Sequence, residues 1–295
     1  MSPSGRLGRI GIWTGAFTNA LRNGGPAHTD ELADVAAELE ALGYGTLWLG
    51  GSPEVDYARP LLRATSRITV ATGIVSIWER GASDVAAQWA GIERMYPRRL
   101  LLGLGVSHPQ LTERYARPYS AMQEYLSGLD SAPTPVPEQA RVLAALGPRM
   151  LGLSRDRAAG AHPYLVTVEH TAWAREILGA RSLLAPELKV VLDTDIDRAR
   201  DIARSYLRFY LSMPNYTSNL LRLGFKEDDF RDGGSTRLVD AVFALGDASA
   251  IAKRAQAFLD AGADHLAVQV VTDDPHHDLP RTAWRCLAET LPLFG

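Results

Sequence analysis

Three short stretches carry the residue types from which a reaction could be built. Ser107 and His108 follow directly on the apolar run Leu100 to Val106 (LLLGLGV). A histidine delivered at the end of a buried strand can hold or move a proton near neutral pH, and a neighbouring hydroxyl can orient a ligand. The second stretch is Gly147-Pro148-Arg149-Met150. Proline at the first helical position leaves the next amides, those of Arg149 and Met150, aimed out of the helix start, where an anion such as phosphate is favoured. Arg149 either adds charge there or stands solvated in the first turn. The third, His276-His277-Asp278, lies among Asp273, Asp274 and two prolines and reads as an exposed loop rather than a metal site. No Ser/His/Asp set and no close His/Asp/Glu cluster emerges, so no metal is expected and triad hydrolysis is not supported. The one cysteine, Cys286, reads as a core thiol in a carboxy-terminal helix.

Glycines at Gly73, Gly105 and Gly147 either let bare backbone approach a flat ligand or relieve crowding between strands. Gly103-Leu104-Gly105 fails the dinucleotide-binding fingerprint, because no third glycine falls at the required spacing and no helix opens at once.

The elements that must position these residues alternate along the chain. Strands are expected at Arg9 to Gly15, Thr46 to Leu49, Ile68 to Trp78, Leu100 to Val106, Arg141 to Leu146, Ala161 to Val166, Leu188 to Leu192 and Leu266 to Val271. Between them lie helix-like segments, such as the one from Thr29 with Leu32, Val35, Ala36, Leu39 and Leu42 at helical spacing and Gly43 as its cap. Eight strands, each followed by a helix, predict an α/β fold of the (β/α)8 TIM-barrel kind, a single domain over residues 1–295. Residues 214–245 break the rhythm and read as an insertion between strands 7 and 8. A doubly wound open sheet is the alternative. In a barrel the strand carboxyl ends form the active face, here Trp13 and Thr14, Gly50 to Ser52, Ser76 and Trp78, Ser107 and His108, Leu146 and Gly147, Tyr164, Asp193 and Gln269. Glycine, hydroxyls, aromatics and one histidine suit a flat ring held against backbone.

Composition narrows the class. The net charge of −3, with no basic stripe, argues against nucleic-acid binding, and 46% hydrophobic residues suffice for a full core. No apolar run approaches a membrane span, and MSPSGRLGRIGIW has too short an apolar core for a signal peptide, so a cytoplasmic protein acting on a small molecule is expected.

The stretches LGRIGIWTG, LEALGYGTLWL, ITVATGIVSIW, LLLGLGVSH, RPYSAMQEYL, VLAALGPRM, GAHPYLVTVEHT and GADHLAVQVV together resemble the luciferase-like oxidoreductases, in particular the branch that uses coenzyme F420. The resemblance implies a deazaflavin ring lying across the strand ends, with FMN as the alternative coenzyme. It implies a bulge in the third strand with a cis peptide bond, placed by position between Gly73 and Ile74. It puts Ser76, Gly105, Val106 and Ser107 along the ring, Leu146, Gly147, Arg149 and Met150 at the coenzyme phosphate, and Tyr164 near coenzyme or substrate. The implied reaction is hydride transfer between F420 and an organic substrate, with His108 as proton donor or acceptor. An FMN-dependent monooxygenase and a non-catalytic ring-binding remnant are the alternatives. A homodimer is also implied, to which Ala86, Trp89 and Ile92 could contribute, although ordinary packing of their helix on the barrel is the favoured reading. Two departures stand out: Gly50-Gly51-Ser52 replaces the acidic residue usual at the second strand end, and His108 stands where sugar-phosphate dehydrogenases of the family place a glutamate.

Overall fold

The run Leu100–Gly105 is a strand buried along its whole length in the computed structural model, which describes residues 6–293. Around it, in chain order, lie β1 (Ile10–Thr14), β2 (Thr46–Gly50), β3 (Thr69–Gly73), β4 (Val75–Ser76), β5 (Leu100–Gly105), β6 (Arg141–Leu143), β7 (Gly160–Ala161), β8 (Leu183–Leu184), β9 (Glu187–Leu192), β10 (Phe243–Gly246) and β11 (Leu266–Val270). They form one sheet, β10-β9-β11-β1-β2-β3-β5-β6-β7-β8, with β4 beside β5 and the strands parallel throughout. The sheet curls on itself, because β8 runs through Ala185 and Pro186 into β9. Ala185 N donates to Ala161 O and Ala267 N to Pro186 O, so hydrogen bonds flank that junction on both sides. The architecture is TIM-barrel-like, helices alternating with strands.

Alternate strand residues face opposite ways, which divides the core in two. Ile10, Ile12, Leu47, Leu49, Val70, Leu100, Leu102 and Leu104 pack outward against the helices. Trp48, Ala71, Leu101, Val142 and Ala267 fill the interior, mostly small side chains around one large indole. Trp48 stacks on His162 at 4.1 Å and donates from Nε1 to His265 Nε2, whose Nδ1 donates to Gly8 O. Helix Ala82–Met95 buries Val85, Ala86, Trp89 and Ile92 on one face. Ala86, Trp89 and Ile92 pack on the chain's own core.

The third expected strand is broken into β3 and β4, the fifth ends at Leu143, and further expectations need correction. The sixth strand was expected over 161–166, but β7 ends at Ala161: Pro163 has no N–H for the ladder, and Leu165 takes a left-handed φ of 56°. Within 214–245, which falls between β9 and β11, helices Pro214–Arg222 and Thr236–Val242 lead into a strand that was not expected, β10, which lies along β9. Cys286 is exposed, because the helix Arg281–Ala288 turns Trp284 and Leu287 to the core instead. Residues 1–5, part of the stretch read as too short for a signal peptide, lie outside the described residues. No described helix is long and apolar enough to cross a membrane.

Candidate active site

A cavity of about 800 Å³ opens at the carboxyl ends of the strands. Its floor is a bulge. Pairing runs from Ala71–Leu101 to Val75–Leu104, so the third strand spends one residue more than β5 over the same distance. Thr72 fills the gap, its Oγ1 donating to Gly103 O and accepting from Gly103 N, both at 2.8 Å. The Gly73–Ile74 peptide in this bulge is cis. Ser76 beyond it is buried, and its Oγ has no hydrogen-bond partner.

One wall is Val106, Ser107 and His108. Asn215, from helix Pro214–Arg222, places its Nδ2 3.3 Å from Ser107 O and 3.2 Å from His108 Nδ1. A carbonyl can only accept, so the amide nitrogen is the donor and His108 Nδ1 is unprotonated. Burial lowers the His108 pKa to about 4, which keeps the ring neutral with its proton on Nε2. His108 also lies 4.8 Å from the Tyr216 ring.

The far end is the start of helix Pro148–Arg157, with Gly147 as its N-cap. Leu146, Gly147, Arg149 and Met150 line the cavity there. His170 Nε2 donates to Leu146 O at 3.0 Å and so fixes the approach to the helix. A side chain placed on Gly147 would meet only Arg222 Nη2, at 3.9 Å. Arg222 therefore joins Arg149 beside the helix start, while Arg149 itself lies over the Tyr119 ring at 4.2 Å.

The remaining wall is aromatic. Tyr164 donates to Gln269 Oε1 at 2.9 Å, Gln269 Nε2 donates to Tyr206 at 2.7 Å, and the Tyr206 hydroxyl lies 2.7 Å from that of Tyr164 and 2.9 Å from that of Tyr210. Burial holds Tyr164 and Tyr206 well above the ordinary phenol pKa, so these hydroxyls stay protonated. Behind them Lys189 and Glu187 form a buried pair at 2.6 Å, with Lys189 Nζ 3.6 Å from the Tyr164 ring centroid. Trp13 covers the tips of β2 and β3. A side chain on Gly50 would strike its indole at 2.4 Å, and one on Gly73 would meet its Nε1 at 2.5 Å.

The cavity thus gathers Gly73, Ile74, Ser76, Val106, Ser107, His108, Leu146, Gly147, Arg149, Met150 and Tyr164. Gly105 stands apart: it lies behind Ile74, whose Cδ1 would be 2.6 Å from a side chain placed on it. Trp78 and Asp193 also fall outside; Trp78 donates to Val106 O, and Asp193 pairs with Arg198. His277 pairs with Asp274, and among the described residues no three His, Cys, Asp or Glu side chains converge as a metal would require. Sequence reasoning missed Asn215, Arg222, Tyr206 and Tyr210. The only signal for the two tyrosines was their spacing of one helical turn near the end of helix Ile196–Tyr210.

Residues 9–130 match the family model of the luciferase-like monooxygenases. No curated protein sequence matches the chain. Among solved structures the chain is similar to an F420-dependent secondary alcohol dehydrogenase in complex with an F420-acetone adduct (TM-score 0.73, 13% identity, 97% of this chain and 98% of that one). It is also similar to the coenzyme F420-dependent tetrahydromethanopterin reductase from Methanopyrus kandleri (0.74, 15%, 96% and 98%). A third likeness is to the oxygenating constituent of 3,6-diketocamphane monooxygenase from Pseudomonas putida in complex with FMN (0.67, 11%, 97% and 98%). At these identities the likenesses show the fold.

Proposed function

We propose that this chain is an oxidoreductase of the luciferase-like kind, binding a flavin-type coenzyme, F420 in the leading reading, and transferring a hydride to or from an organic substrate. The observation that carries the reading is that one cavity joins the Gly73–Ile74 bulge to a helix start flanked by Arg149 and Arg222. A flat ring with a phosphate-bearing tail needs that pairing of bare backbone with an anion seat. The residues present fit such a group: the buried Ser76 Oγ lacks a partner beside the bulge, and the space at Gly147 holds only a guanidinium.

The coenzyme, when bound, supplies the hydride chemistry; the chain orients it and shapes the local field. Gly147, Arg149, Met150 and Arg222 would hold the phosphate, and Ile74, Ser76, Val106 and Ser107 the ring. His108 is neutral and presents Nε2–H, so it acts by donating a hydrogen bond to a substrate oxygen that gains negative charge during reduction. Asn215 keeps that tautomer.

Parallel titration of the protein with F420 and FMN, followed by absorbance and fluorescence, tests the reading. Binding of F420 in preference to FMN is expected. Preference for FMN together with oxygen consumption on reduction would move the reading to a monooxygenase, and binding of neither would overturn it.

A further inference from the structure

We propose that the aromatic side of the cavity takes an uncharged, planar ring compound that carries a carbonyl oxygen, a substrate class that rests on the coenzyme reading above. Arg149 and Arg222 sit at the helix start. Glu79 sits at the opposite edge and accepts from Ser52 Oγ at 2.8 Å. Between these ends the lining residues carry no lysine, arginine or carboxylate side chain. Trp13, Tyr164, Tyr206, Tyr210 and Tyr216 supply ring faces instead. Their geometry matters: the hydroxyls of Tyr164, Tyr206 and Tyr210 are consumed by one another and by Gln269, so these residues offer π surface rather than free polar groups.

Glu187 and Lys189 behind the tyrosines are sealed and paired to each other. A charged ligand here would lose its hydration and find no counter-ion, a loss that an uncharged one avoids. The groups on this lining with a proton to give are His108 Nε2–H, whose Nδ1 is occupied by Asn215, the buried and partnerless Trp13 Nε1–H, and the Tyr216 hydroxyl. Donors of this kind call for an acceptor oxygen on the ligand. The rim agrees independently: Phe209 and Leu111, 55% and 54% exposed, are large apolar side chains left facing solvent, and both line this cavity. A ligand wide enough to reach the rim would cover them.

Fluorenone, fluorene and fluorenone-2-carboxylate separate the elements of this proposal, with binding read from quenching of protein fluorescence, with and without coenzyme. Fluorenone is expected to bind at least tenfold more tightly than the carboxylate. Fluorene, lacking the oxygen, should bind several-fold more weakly than fluorenone in the native protein and equally in His108→Phe. Phe209→Ser, at an exposed position that folding does not need, should weaken fluorenone a few-fold. Equal or tighter binding of the carboxylate, or no fluorenone binding in a protein that does bind F420 or FMN, would overturn the substrate class and leave the coenzyme reading standing. Binding of fluorenone by a protein that takes neither coenzyme would overturn the coenzyme reading and, with it, the assignment of the ring compound as a substrate.

Discussion

His108 owes its character to two neighbours in the fold rather than to its own chemistry. Burial keeps it neutral, and the Asn215 amide, oriented by the Ser107 carbonyl, fixes which nitrogen holds the proton. Replacing His108 with Ala should lower turnover by about 100- to 1,000-fold, the usual scale for losing one well-placed donor. Coenzyme affinity should stay within a few-fold, because Val106 and Ser107 keep their places. Unchanged turnover would remove His108 from the reaction. The histidine itself was legible in the sequence, since an apolar strand that ends in Ser-His delivers both to the barrel mouth. Asn215 was not: an asparagine in a polar segment carries no sign of the distant loop it will bind.

Among the elements, the tips of β1, β2 and β3 are fitted to one another. Gly50 closes β2, and the space a side chain would need there is filled by the Trp13 indole. Gly50→Ala should therefore destabilise the fold by about 1–3 kcal/mol through overpacking. The smaller Trp13→Leu background should reduce that cost, and a denaturant-melt double-mutant cycle would read the coupling; additive effects would show that the two tips do not touch. Helix Ala82–Met95 was plain in the sequence because its burial repeats with the helical period, and strand β5 because it is a short apolar run, buried along its whole length, that stops at small and polar residues. The early end of β7 was foreshadowed only by Pro163. Strand β10 escaped notice because its four residues, FALG, are too few to show a period and directly follow a helix. The bulge could be placed at Gly73 only through resemblance, since the register that creates it depends on β5.

Across the whole molecule, the interior carries histidines that the folded chain keeps uncharged. Burial lowers His162, His170 and His265 to about 4, whereas the ordinary value is 6.5. As pH falls below 6.5 the unfolded chain takes up protons that the folded chain refuses. Stability is therefore lost between about pH 6.5 and 4, by about 1.4 kcal/mol per pH unit for each of these histidines at most. Glu40 acts lower: burial opposes its charge, but the amides of Ile68, Arg67 and Ser66 outweigh that and hold it at about 2, so its contribution fades only from 4.5 downward. Urea midpoints should accordingly drop between pH 6.5 and 5, before carboxylates titrate. A flat profile over that range would mean that the buried rings take up protons in the folded state.

The central claim is that a single cavity seats a ring at the bulge and its phosphate at the helix that begins after Gly147. It is tested most directly by comparing each coenzyme with its phosphate-free ribityl counterpart, FMN with riboflavin and F420 with its deazaflavin alcohol, in the native protein and in Arg222→Met. The account predicts that the phosphorylated partner of the coenzyme in use binds at least tenfold more tightly, and that most of this advantage disappears in the variant. Equal affinity for the two partners in the native protein would contradict it.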